Sequence, residues 1–229
     1  MPNQIQKEMR QMARKHESEA VTRRSYAFEM RADEGEQGKV IEGVPIVFDQ
    51  PTRIRDIWTG EDYTEMITRK ALDNADLSDV CLFVNHEMDK IPLARSRRGK
   101  GTLSLDVTDE GVKMRAVLDT EHNPEASALY SAVSRGDIAG MSFCFRVRGD
   151  HWQDLETDHP LRIIDDISII HEVSAVTDPA YPQTSISARS SEETESPLAE
   201  ARARLTASKE SDAEALMLEK AKIKVKSWI

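Results

Sequence analysis

Ser142, His86 and Glu172 are the residues of this chain whose types and settings suit nucleophilic chemistry. Gly136 and Gly140 make a turn, and a strand is expected from about Met141. Alternation puts Met141, Phe143, Phe145 and Val147 on one apolar face and Ser142, Cys144 and Arg146 on the other. A hydroxyl is thus presented where a strand begins, just after a glycine that lets another chain approach closely. A serine nucleophile needs a base, and the base needs an orienting group. Imidazole suits the first task because it titrates near neutrality.

Six histidines are available. His16 falls in an N-terminal arm, His122, His151 and His159 in polar loops, and His171 in a strand beside Glu172. His86 closes the apolar run Val80-Cys-Leu-Phe-Val-Asn-His86, a buried central strand by its composition. Glu172 lies in a segment that otherwise reads as core, and a buried carboxylate calls for a partner. An imidazolium meets that need; a structural salt bridge or a water-facing edge strand meets it equally well. Cys144 is a second candidate nucleophile, deeper in the same strand. A metal hydrolase built on His86, Glu87, Asp89 and a further histidine is the remaining chemical alternative, although no HExxH spacing is present.

The elements that must hold these groups follow from periodicity. Tyr26, Phe28 and Met30 alternate with polar residues, and 40–48 is a second strand, the two forming a long-looped hairpin. Residues 52–60 are expected to be irregular, and a helix capped at Thr68 should follow. The clearest hairpin joins 103–107 to 112–118 across Asp109-Glu-Gly111. Asn123 and Pro124 start a helix as N-cap and first residue, and it stops at Gly136. Residues 149–160 make an acidic loop, and 161–176 makes two strands separated by a turn at Asp165-Asp166.

The ends differ from the middle. Residues 2–22 are polar, with a weak stripe of Ile5, Met9 and Met12, and carry the basic Arg10, Arg14 and Lys15 ahead of Arg23 and Arg24. That collection is either a solvated face or a contact for an acidic partner. Residues 190–197 are almost without apolar side chains and form a linker. Beyond it Leu218, Ala221, Val225 and Trp228 space an amphipathic helix that docks on a partner or folds back on its own core. The divisions are therefore an arm over 1–24, a core over 25–188 and a linker with helical tail over 189–229.

With 31 basic against 41 acidic residues the net charge is −10, which argues against non-specific nucleic-acid binding as the main task. No apolar run approaches the roughly 18 residues of a membrane span, and no signal peptide is expected. Cys81 and Cys144, in apolar strands, are expected as free thiols in a reducing compartment.

His86 at a strand end, Gly-Met-Ser142-Phe on a later strand after a helix, and Glu172-Val-Ser-Ala-Val-Thr-Asp-Pro-Ala-Tyr-Pro some thirty residues on resemble the prohead (capsid-maturation) serine proteases of tailed bacteriophages. Ile41-Glu-Gly-Val-Pro-Ile-Val-Phe48 is similar to that family's second strand. The resemblance covers about 25–188 and extends in fold to the herpesvirus assemblins. It implies a mixed, mainly β fold: a compact antiparallel β-barrel surrounded by helices, with flexible or helical extensions. It implies His86 as general base and Ser142 as nucleophile. Glu172 is the chosen orienting acid, with Asp165, Asp166 and His171 left open. Amides of the turn near Ser142 are candidate oxyanion donors, with Arg135 and Arg146 as further contributors.

The activity implied is a serine endopeptidase that needs no cofactor or metal. It would remove scaffold segments of the major capsid protein inside the procapsid, in the host cytoplasm, and then process itself, including at the linker. Its partners would be the capsid protein, its scaffold segment and other copies of the chain, without membrane or specific nucleic acid. The alternative of another class is a catalytically silent assembly or scaffold protein with the same core.

Overall fold

The computed structural model describes residues 21–26, 30–35, 38–55, 60–177, 184–186 and 196–226. The stripe of Ile5, Met9 and Met12, the basic Arg10, Arg14 and Lys15, His16, most of the linker and Trp228 lie outside the described residues.

The longest strands organise the molecule. β11 (Gly140–Gln153) and β12 (Leu161–Val176) pair antiparallel along their whole length. The other edge of β12 is shared. β5 (Asp62–Ile67) runs parallel to its first residues and β6 (Asp79–Val84) parallel to its last. Outward from β5 come β4 (Thr52–Arg55) and β13 (Thr184–Ile186), and outward from β6 come β7 (Ala94–Arg97) and β8 (Lys100–Gly101). β1 (Val21–Tyr26) pairs antiparallel with β11 on its remaining edge. A second sheet has the order β2 (Arg31–Gly35), β3 (Gly38–Val47), β10 (Gly111–Leu118), β9 (Leu103–Val107).

The implied antiparallel barrel is not what forms. Among the described residues the strands make two open sheets, and β12 with β5, β12 with β6 and β13 with β4 are parallel pairs. β8 and β13 end the larger sheet as separate edges, so no ladder closes it.

Met141, Phe143 and Phe145 on β11, with Ile164, Ile167, Ile170 and Val173 on β12, are at most 1% exposed and line one core with Ile41, Ile46 and Met114 of the second sheet. Gly43 allows the sheets to meet closely: a Cβ there would lie 2.5 Å from the sulfur of Met141. Gly43→Val should therefore cost about 1–3 kcal/mol by overpacking, read as a lowered Tm. Unchanged thermal unfolding would show that Met141 has room to move aside.

Two helices flank the sheets among the described residues. α1 (Pro124–Ser134) starts as its sequence demands, with the Asn123 side chain accepting from the amides of Glu125 and Ala126. It stops where Gly136 takes a φ of 76°. α2 (Pro197–Lys226) begins at Ser196, whose Oγ accepts from the Ala199 amide. Its first turn folds back on the core, with Leu198 against Ile54 and Tyr63, while Leu216 and Met217 further along are exposed.

Several local expectations are corrected. The first hairpin joins β2 to β3, with β1 elsewhere beside β11. Residues 52–55, expected to be irregular, are β4. The helix after Thr68 is a single 3-10 turn (Arg69–Leu72), and the Thr68 hydroxyl donates to Ile164 O, 96 residues away, in place of capping. The supposed acidic loop is strand as far as Gln153, because Asp150 is paired with Arg162 across the ladder. Asp165-Asp166 is no turn. β12 continues through it with a bulge at Asp165, which is paired to Lys70 as Asp166 is to Arg148.

Candidate active site

β6 stops at Val84, and the next two residues turn the chain sharply. Asn85 and His86 both occupy the left-handed region, with φ of 50° and 61°. That conformation is uncommon for residues other than glycine, and Asn and His are among those that tolerate it. The turn is pinned from both sides. The Asn85 amide donates to Ala175 O at 2.9 Å, and its side-chain oxygen accepts from the Thr177 amide at 3.1 Å. Backbone strain held this firmly is typical of positions that must aim a side chain.

The aimed side chain is the His86 imidazole. Its Nδ1 lies 2.5 Å from Glu172 Oε1, while the other carboxylate oxygen accepts from Ser174 Oγ at 2.5 Å. Ser174 Oγ in turn accepts from the His86 amide at 3.2 Å. One hydroxyl therefore ties the turn to the carboxylate that orients the ring. Glu172 is fully buried and the His86 side chain is 13% exposed. The acid is sealed while the ring keeps an open edge. With Nδ1 committed to the carboxylate, Nε2 is the nitrogen left for a proton in transit.

Ser142 stands directly across the ladder from Ser174, and Cys144 directly across from Glu172. Paired residues share a face, so Ser142, Cys144, Glu172 and Ser174 project to one side of the sheet, with Cβ atoms of each pair roughly 5 Å apart. Ser142 is fully buried, and its hydroxyl donates to the Arg24 carbonyl of β1 at 2.8 Å. The structure thus joins His86 to Glu172 directly and sets Ser142 one strand away from the serine that clamps both. The Cys81 side chain belongs to the same face through its pairing with Glu172.

The other residues left open fall elsewhere. Asp165 and Asp166 sit six to seven positions back along β12, about 20 Å from Glu172, and their ion pairs with Lys70, His151 and Arg148 belong to that end. His171 is the extra residue of a bulge between Cys144 and Phe145, and its Nε2 has no partner among the described residues. Burial, then the nearby Arg146, holds its pKa below the usual imidazole range. Arg135 is paired with Asp137 and Ser131 at the end of α1. Arg146 lies two residues beyond Cys144, with its Nε buried and unpaired among the described residues. Glu87 is paired with Lys90, and among the described residues no group of three His, Cys, Asp or Glu side chains is placed to hold a metal ion.

Burial and then the Glu172 carboxylate push the Cys144 thiol up to about 11, so the thiolate is scarce at neutral pH. Iodoacetamide at pH 8 should leave Cys144 of the folded protein unmodified, as read by peptide mass spectrometry. Rapid carbamidomethylation under native conditions would reopen it as a nucleophile.

Sequence reading passed over Ser174, Asn85 and the buried Arg24. The first was visible as Glu172-x-Ser174, two polar residues sharing one face of an apolar strand. The second was visible as Asn before His at the end of a strand, a pair suited to left-handed backbone. Nothing local marked Arg24, whose partner is 41 residues away.

The family profile described as Caudovirus prohead serine protease matches residues 26–197, most of the chain. The chain belongs to this family. The prohead protease match takes in β2 to β13 and so includes His86, Ser142 and Glu172. Among solved structures, the capsid assembly protease gp21 of bacteriophage T4 is similar at 14% identity and a TM-score of 0.43, over 69% of this chain and 98% of that one. No curated protein matches. The family is one of serine proteases of phage capsid maturation, and no helix among the described residues is long and apolar enough to cross a membrane.

Proposed function

We propose that this prohead protease is an active serine endopeptidase in which Ser142 is the nucleophile, His86 the general base and Glu172 the orienting acid. The observation that carries the reading is the His86–Glu172 pair at 2.5 Å on a strained turn, with Ser142 on the adjoining strand facing the same side. Glu172 fixes the tautomer with the proton on Nδ1 and stabilises the imidazolium. His86 Nε2 takes the Ser142 proton during attack on a peptide carbonyl and returns it to the leaving amine, and water then releases the acyl-enzyme. Amides at the start of β11 are the nearest candidates for holding the oxyanion. An apolar hollow of about 290 Å³ between the His86 turn and α1, lined by Val84, Ile91, Leu129 and Ile138, offers room for an apolar substrate side chain.

The substrates in this reading are the scaffold segment of the major capsid protein and, afterwards, the chain itself, inside the procapsid in the host cell. The test is incubation with the cognate capsid precursor. Wild type should shorten the precursor, and Ser142→Ala should be slower by about 10⁴-fold or more. Equal processing by both would remove Ser142 from the chemistry, and processing by neither would favour a silent assembly protein. One observation favours that second reading: in this conformation the Ser142 hydroxyl is already engaged by β1.

A further inference from the structure

Ser174 is polar within the otherwise apolar run Val173-Ser-Ala-Val176, and it is fully buried. It stands in β12 between Ser142 of β11 on one side and Phe83 of β6 on the other. Its Oγ accepts from the His86 amide at 3.2 Å. A hydroxyl carries a single hydrogen, and that of Ser174 goes to Glu172 Oε2 at 2.5 Å. The group is therefore committed on both counts, with its donor on the carboxylate and a lone pair on the turn.

Glu172 has few other strong donors to turn to. It precedes Ser174 by two residues, so the two side chains share a face with backbones about 7 Å apart. Its neighbours across the ladders are Cys144 and Cys81, whose thiols are weak donors. His86 Nδ1 engages one carboxylate oxygen at 2.5 Å, which leaves the second to Ser174. A buried oxygen without a donor is costly, and a carboxylate tied at both oxygens cannot rotate away from the ring. The same hydroxyl serves the backbone. His86 is held at a φ of 61°, and its amide finds its acceptor in Ser174 Oγ.

We propose that Ser174 is a positioning residue that acts through Glu172. Its hydroxyl locks the carboxylate in the rotamer that meets Nδ1 and joins it to the left-handed turn, so that acid and imidazole move as one unit. The inference rests on His86 and Glu172 working as proposed above. It adds that Glu172 holds the ring effectively only while the hydroxyl at 174 holds Glu172.

The first test is a double-mutant cycle on peptide cleavage by the full-length protein. Ser174→Ala should lower kcat by about tenfold or more, the effect of one unsatisfied buried oxygen, with KM changed less than about threefold. In a Glu172→Gln background the same substitution should cost less than about threefold, because the partner through which it acts is already disabled. An equal loss in both backgrounds, or no loss in the first, would overturn the proposal. The second test needs no turnover. In Ser142→Ala, the His86 Nδ1 proton bonded to Glu172 should give a far-downfield NMR signal, assigned by its absence from His86→Gln. Ser142→Ala/Ser174→Ala should broaden or lose that signal, and an unchanged signal would overturn the proposal. Should circular dichroism show the alanine variant unfolded, Ser174→Cys replaces it in both tests. The thiol fills the site with a weak donor, so a smaller loss and a broadened signal are expected, and wild-type behaviour in both overturns the proposal. A signal that depends on Ser174 in a protein that never cuts the capsid precursor would sink the protease reading alone. Cutting by wild type, with the signal untouched by Ser174→Ala, would sink this positioning role alone.

Discussion

Glu172→Gln should lower kcat by about 10³–10⁴-fold with little change in KM, because an amide in place of the carboxylate favours the wrong imidazole tautomer. The variant keeps the volume of a fully buried side chain and an oxygen for the Ser174 hydroxyl. What it loses is the negative charge 2.5 Å from His86 Nδ1. The measurement is steady-state cleavage of a peptide substrate, with thermal unfolding in parallel. A fall of only a few-fold in kcat beside a much reduced Tm would make Glu172 a structural partner of the turn and leave His86 without an orienting acid.

Glu65→Gln should destabilise the protein by about 3–5 kcal/mol, the usual range when one partner of a buried ion pair is removed. Two guanidiniums, of Arg24 and Arg162, would remain buried around a neutral amide. Burial alone would raise the Glu65 pKa, but Arg24 and then Arg162 outweigh it, so the folded carboxyl titrates below its ordinary value of 4.5. A depressed folded pKa contributes stability that is present above the unfolded pKa and is lost as pH falls through the folded one. Wild type should therefore lose stability steeply below about pH 4.5, and Glu65→Gln should show a shallower slope there. Urea unfolding at pH 7 and pH 4 gives both numbers. Parallel pH slopes for the two proteins would show that Glu65 contributes nothing to acid sensitivity.

The parts of this molecule that could be read from sequence are those set by local chemistry. The run ending at His86, the hairpin of β9 and β10, and the Asn123-Pro124 start of α1 each rest on neighbouring residues, and each forms as expected. A carboxylate in an apolar strand demands a partner, and His86 was one of the partners that the sequence left open for Glu172. The failures share one cause, which is that long-range partners change what a polar residue means. Asp165-Asp166 looks like a turn until Lys70 and Arg148 are beside it. Asp150 looks like loop until Arg162 faces it. Arg23 and Arg24 look like a solvated run until β11 supplies a ladder and β5 a buried carboxylate. The bulges in β12 add to this by breaking the alternation that would have marked one long strand.

The first turn of α2 has a consequence for proteolytic trimming. Leu198 is 2% exposed against Ile54 and Tyr63, and the Arg202 guanidinium caps Leu155 O at 3.1 Å. Severing the polypeptide upstream of Ser196 would break covalent continuity without breaking these attachments. A nicked molecule would keep its tail as a non-covalent subunit, shed by dilution or by competition at that seat, and the cut itself would act as a licence for departure.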